Sequence, residues 1–219
     1  GLDLNQAKLF EQKLEERRGK WNKILTLKNS PTLNKYNFML DNNELTLTQN
    51  NNQILTINID EMGEYELLSN KILELESSLQ KPICLMKNTD IPFFDTSISN
   101  KTVLTHSVSL INNQSIEDFK NKTNQEIETQ RFRGNIFIEG IKAWEERNWI
   151  GKIIKINDIS FKVEKNIPRC VAINLKPNSD DNSLNLLEAL KKNYNHFDMG
   201  VYLTALDDGL INIGDNISL

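Results

Sequence analysis

The chain has only two cysteines, Cys84 and Cys170, among 219 residues. That is too few for a disulfide framework, a four-cysteine zinc site or a protein-held iron–sulfur cluster, and it fits a reducing compartment. Histidine is equally scarce, with His106 and His196 the only two, so general acid–base chemistry has few candidates. A zinc site drawn from Cys170, His106, His196 and a carboxylate lacks ligand spacing. P-loop, GxGxxG, HExxH, GxSxG and CxxC motifs are all missing, which removes the common phosphate, dinucleotide, zinc and hydrolase signatures. No apolar run reaches the length of a membrane span, and no charged start leads into a signal-peptide core. Basic charge is not in excess: 26 Lys and Arg stand against 30 Asp and Glu, a formal net charge of -4. A dedicated nucleic-acid binder needs a basic face, so that class is disfavoured.

What is present reads as a soluble globular chain, 38% hydrophobic and 26% charged, long enough for one large domain or two small ones. Leu4, Ala7, Phe10 and Leu14 lie near helical spacing within the charged opening segment 2–20. Short β-type runs follow at 24–28, 33–40, 45–48 and 54–59, and Asn50 to Asn52 predicts a hairpin turn between the last two. Leu67, Leu68, Ile72, Leu75 and Leu79 predict an amphipathic helix over 64–79. A short strand at 82–86 then carries Cys84, which reads as a small apolar residue. The irregular stretch 88–101 is the candidate boundary.

Beyond it, 108–111 and 136–138 are strand-like, and Ser115 with Asp118 resembles a capping box opening a helix. A helical turn is expected at 143–146, and 153–156 with 159–163 form a hairpin around Asn157 and Asp158. A neighbouring strand is expected at 169–175. Ser183 should cap a helix carrying Leu184, Leu187, Leu190 and Tyr194. The chain closes on alternating Val201, Leu203 and Ala205, a turn at Asp207 to Gly209, and a return through Ile211 and Ile213. Many short strands with a few helices predict an α+β fold, predominantly β: a barrel-like core with peripheral helices plus a smaller N-terminal β-rich domain.

Two polar clusters stand out between Arg131 and Pro177. Cys170 directly follows Arg169 and lies near Lys165, a setting that favours the thiolate, the form that attacks electrophiles and binds soft metals. The plainer reading is a buried strand cysteine whose neighbouring arginine faces the other way. Arg133 and Asn135 share a face if the segment is extended, and together can hold an anion. An exposed arginine beside a turn asparagine accounts for the same pattern.

The order RFRGNIFIEG, AWEERNWIGKIIKI, IPRCVAINLKP, a helix, MGVYLTAL and INIGDNISL resembles the MOSC family, named for the C-terminal part of molybdenum-cofactor sulfurase. The resemblance runs from His106 to Leu219 and is nearest to bacterial relatives of the amidoxime-reducing component. LTLKNSPTL, 25–33, is similar to part of the family's N-terminal β-barrel domain. The resemblance implies a MOSC domain at 96–219 and an associated N-terminal domain at 1–95, incomplete at its start.

It further implies a molybdenum cofactor of the molybdopterin type, with Cys170 as catalytic residue and protein ligand to molybdenum. Arg133 and Asn135 match the FRxN block that binds the pterin and its phosphate; here Gly134 replaces a common proline. Arg169, Lys28 and Ser107 match other cofactor-contact positions. Implied, too, are reduction of small N-hydroxylated substrates, electrons from a separate redox partner protein, and a bacterial cytoplasmic location. A cofactor or sulfur carrier is the alternative function, and pyridoxal phosphate binding is attached to the family as a whole.

Overall fold

A computed structural model describes residues 7–10, 16–17, 20–21, 31–61, 64–76, 84–87 and 107–219. The chain divides into two compact units. One comprises Gly1–Asn100 with Leu175–Asn182, the other Lys101–Asn174 with Ser183–Leu219.

In the first unit β1 (Ala7–Phe10) pairs antiparallel with β7 (Cys84–Lys87), and β2 (Glu16–Arg17) with β3 (Lys20–Trp21). Helical spacing in the opening segment therefore gives way to strand pairing, as weak local propensity does when a partner strand is available. After a 3₁₀ turn at Pro31–Lys35, strands β4 (Asn37–Asp41), β5 (Glu44–Gln49) and β6 (Asn52–Asn58) form an antiparallel meander. The β5–β6 loop is Asn50 and Asn51, with φ of 52° and 65°. Both residues are left-handed, as a type I′ turn demands, and asparagine tolerates that region well. Helix α1 (Glu64–Leu75) buries Leu68 and Ile72 against Leu45, Leu47 and Ile57 of the meander.

Leu175–Asn182 enters this unit from the later part of the sequence. Buried Asn34 holds it, its Nδ2 donating to Lys176 O at 2.7 Å and Ser179 O at 2.6 Å. Lys35 adds ion pairs to Glu76 at 2.9 Å and Asp180 at 3.6 Å.

The second unit is built on a curled six-stranded sheet, a half-barrel in the order β13-β10-β11-β12-β8-β9. Its strands are β8 (Val108–Asn112), β9 (Ile136–Ile138), β10 (Ile153–Ile156), β11 (Ile159–Pro168), β12 (Asp198–Ala205) and β13 (Ile217–Ser218). All pairs are antiparallel except β8 with β9. One core layer contains Leu110, Ile154, Val163, Val201 and Leu203. A second packs Ile111 and Met199 against α2 (Asn113–Thr123), α3 (Leu186–Tyr194) and Phe132. Each fully buried Ile, Leu or Phe contributes roughly 1.5–3 kcal/mol in these layers. The α+β, β-dominated class expected from the sequence is thus the one observed.

A bulge in β12 matters for the site. Asn166 pairs with Val201 and Pro168 with Asp198, so Ile167 alone stands opposite Met199 and Gly200. Gly200 has φ +81°, and a Cβ there would overlap Leu110 O and come within 2.6 Å of Ile111 Cδ1. Only glycine fits this backbone.

Several local expectations are corrected. The α2 cap is Asn112, whose side chain accepts from Gln114 N at 3.0 Å; Ser115 and Asp118 are drawn into other hydrogen bonds. Helix α3 starts after Asn185 rather than at Ser183. The helical turn in the tryptophan-rich block is a 3₁₀ turn at Glu145–Trp149. Ile211 and Ile213 form no strand; Ile213 is fully exposed and the returning strand is β13. Residues 24–28, 77–80 and 88–101 lie outside the described residues.

Candidate functional site

Pro168 ends β11, since it offers no N–H to continue the ladder. Arg169 N still donates to Phe197 O at 2.9 Å, and Cys170 O then accepts from Ile173 N at 3.2 Å. A 3₁₀ turn, Val171–Asn174, occupies the place of the expected strand. The alternating-face argument for a buried strand cysteine therefore does not hold. Cys170 is a free, exposed thiol.

The FRGN block sits after a second 3₁₀ turn, Thr129–Phe132. Arg133 is exposed and left-handed, at φ 49° and ψ 43°, its N–H donating to Gln130 O at 3.0 Å. That conformation is uncommon outside glycine and asparagine and carries local strain. It also means that Arg133 and Asn135 are not two positions of one strand. At Gly134 a Cβ would lie 2.5 Å from Ile111 Cγ1 and 2.9 Å from the Phe137 ring, so the bare backbone lets the chain pass over two large neighbours. A following proline would disfavour the helical-type conformation Arg133 adopts.

Asn135 fixes the loop to β8. Its N–H donates to Ser109 O at 3.1 Å and Oγ at 2.9 Å. Its Oδ1 accepts from Ser109 N at 2.9 Å and from Ser109 Oγ at 2.8 Å. The side chain's donor end is left to Nδ2.

Two arginines cross-tie the two 3₁₀ turns. Arg131, only 2% exposed, pairs with Glu128 at 2.5 Å through Nε and donates from Nη1 to Asn174 O at 2.6 Å. Arg169 runs the other way. Its Nη1 donates to Phe132 O at 2.8 Å, while Nε at 2.9 Å and Nη2 both reach Met199 O, the carbonyl turned out at the Gly200 bulge. The Arg169 guanidinium also lies 6.0 Å from the Phe132 ring centre. Burial pulls its pKa down to about 10, against the opposing charges of Tyr202, Cys170 and Asp198.

Cross-strand register places Ser109 beside Tyr202 and Tyr202 beside Lys165, with Lys162 beside Thr204. Ser107 Oγ is 3.3 Å from Thr204 Oγ1. These side chains share one face of the sheet, since directly paired residues point the same way. The face is polar and carries two lysines, and it adjoins Asn135 through Ser109. Lys28 and His106 fall outside the described residues. His196 is half-buried against Trp144 and Tyr194; burial, then Arg147, lowers its pKa and favours neutral imidazole.

Sequence reasoning missed Arg131, Ser109, Tyr202 and Thr204. A charged residue beside Phe132, and polar residues alternating with apolar ones in both SVSLI and VYLTA, were the available signals. Among the described residues no group of three or more His, Cys, Asp and Glu gathers as a metal site. No helix among them is long and apolar enough to cross a membrane.

The MOSC domain profile matches residues 77–218, more than half of the chain. The chain belongs to the MOSC family. Among solved structures, this MOSC protein is similar to YiiM from Geobacillus stearothermophilus at 14% identity and a TM-score of 0.40, covering 50% of this chain and 52% of that one. It thus spans about half the length of that relative. No curated protein matches the chain.

Proposed function

We propose that this MOSC protein binds a molybdopterin-type molybdenum cofactor on its 96–219 portion and, when loaded, reduces small N-hydroxylated substrates. The observation that carries the reading is the Arg169–Phe132 hydrogen bond at 2.8 Å. It holds the residue before Cys170 to the residue before Arg133, so an exposed soft thiol and an exposed guanidinium belong to one constellation. The donor set fits the group: a thiolate suits a soft metal, and Arg133 with Asn135 Nδ2 suits an anion.

Once bound, the cofactor would supply two-electron oxygen-atom chemistry. The chain's own residues would do the rest. Cys170 would hold the metal, Arg133 and Asn135 the anionic end, and Ser107 with the Lys165 and Tyr202 face would border the ligand. Two electrons and two protons convert an amidoxime to an amidine and water. The electrons would come from a separate redox protein, since two cysteines in the whole chain cannot hold a four-cysteine cluster.

The test is amidoxime reduction, with a chemical electron donor, by protein made in a cofactor-producing host. Wild type should form amidine and Cys170→Ala should not. Undiminished turnover by Cys170→Ala would sink the ligand role. Molybdenum without turnover in wild type would point to a cofactor carrier.

A further inference from the structure

We infer that Arg169 is a positioning residue that sets the Arg133–Asn135 loop against Cys170, and that it does not itself bind the cofactor's anionic end. The inference rests on the proposed cofactor site. Three features point to it. First, the guanidinium already uses three of its N–H donors on Phe132 O, the residue before Arg133, and on Met199 O of β12, so the segment that carries Cys170 is tied both to the Arg133 loop and to the sheet. Second, the acceptor at Met199 is prepared by the fold: the β12 bulge at Gly200, where no Cβ fits, takes this residue out of the regular ladder. Third, Arg131 makes the reciprocal tie, from the Thr129–Phe132 turn to Asn174 O at the end of the Val171–Asn174 turn. The two turns are thus braced at both ends, with Arg133 left exposed at the end of one and Cys170 at the start of the other.

A forked guanidinium can bridge two carbonyls, whereas a lysine ammonium supplies the same charge without the fixed fork. That difference separates positioning from direct anion binding. Protein made without the cofactor should show an Arg169 Nε–H protected from solvent exchange by NMR, a measurement on wild type alone. In Arg169→Gln, the Arg133 and Asn135 backbone amides, which donate to Gln130 O and Ser109, should exchange roughly tenfold faster or more. In protein from a cofactor-producing host, pterin content should fall in Arg169→Lys as in Arg169→Gln. Adding Arg133→Gln to Arg169→Gln should lower it little further, because the loop is already displaced.

Rapid exchange of the Arg169 Nε–H, unchanged loop amides in Arg169→Gln, or wild-type pterin content in Arg169→Lys would each overturn the positioning role. Failure of wild type to hold pterin would refute the proposed function instead, and the exchange measurements would still decide the role of Arg169.

Discussion

Replacing Glu146 tests how the tryptophan-rich block is fixed. Glu146 is fully buried, and its carboxylate accepts from Asn112 Nδ2 at 2.9 Å and from Ser115 Oγ at 2.9 Å. Ser115 Oγ in turn accepts from Trp144 N at 2.8 Å, and Asn112 Nδ2 also donates to Lys142 O at 2.9 Å. Glu146→Ala leaves the Ser115 hydroxyl without its acceptor and Asn112 with one partner fewer, in a space just emptied. At about 1–3 kcal/mol for a buried polar group left unsatisfied, with a cavity added, the loss should be about 3 kcal/mol.

The pH dependence follows from burial, which raises the Glu146 pKa in spite of hydrogen bonds from Asn112 and Ser115 and the charge of Arg147. Above the unfolded carboxylate value, about 4.3, the unfolded chain has released a proton that the folded chain keeps. Stability from this group is therefore greatest at acid pH and declines as pH rises from that value through the raised folded one, by at most about 1.4 kcal/mol per pH unit. Glu146→Gln removes the titration, so wild-type stability minus variant stability should fall with rising pH across that window. The measurement is urea unfolding from pH 4 to 8, followed by the fluorescence of the flanking Trp144 and Trp149. A Glu146→Ala loss below about 1 kcal/mol, or a difference curve that rises with pH, would refute the reasoning.

Two further substitutions probe the braces and the bulge. Arg131→Met keeps the apolar stem but strands Asn174 O, and should cost about 1.5–3 kcal/mol in urea unfolding. It should also speed Cys170 alkylation by loosening the Val171–Asn174 turn. Gly200→Ala places a Cβ against Leu110 O at φ +81° and should cost about 1–3 kcal/mol or more, read as a lowered thermal midpoint.

Periodicity made the sheet and helices legible: strands β5, β6, β8, β10 and β11 lie where alternation and asparagine turns place them. What stayed hidden is tertiary. Cys170 leaves the strand pattern because Pro168 stops the ladder and Arg169 finds its acceptors across the fold, at Phe132 and Met199. Arg131 and Arg133 look alike in the string RFR, yet one is buried in a brace and the other exposed at a left-handed position. Ser115 and Asp118 have the spacing of a capping box, but their side chains go to Glu146, Trp144 and Tyr194. The Leu175–Asn182 crossing into the first unit has no local signal, because it is fixed by Asn34 and Lys35, more than a hundred residues earlier. The blocks shared with the MOSC family contain the candidate site residues; the hydrogen bonds separate exposed groups from supports.

On the proposed function, Cys170 is the protein ligand of a molybdenum cofactor. Molybdenum and pterin analysis of wild type and Cys170→Ser, both from a cofactor-producing host, addresses it most directly. Wild type should hold molybdenum with pterin, and Cys170→Ser should lose the molybdenum. Equal molybdenum in both proteins would contradict it.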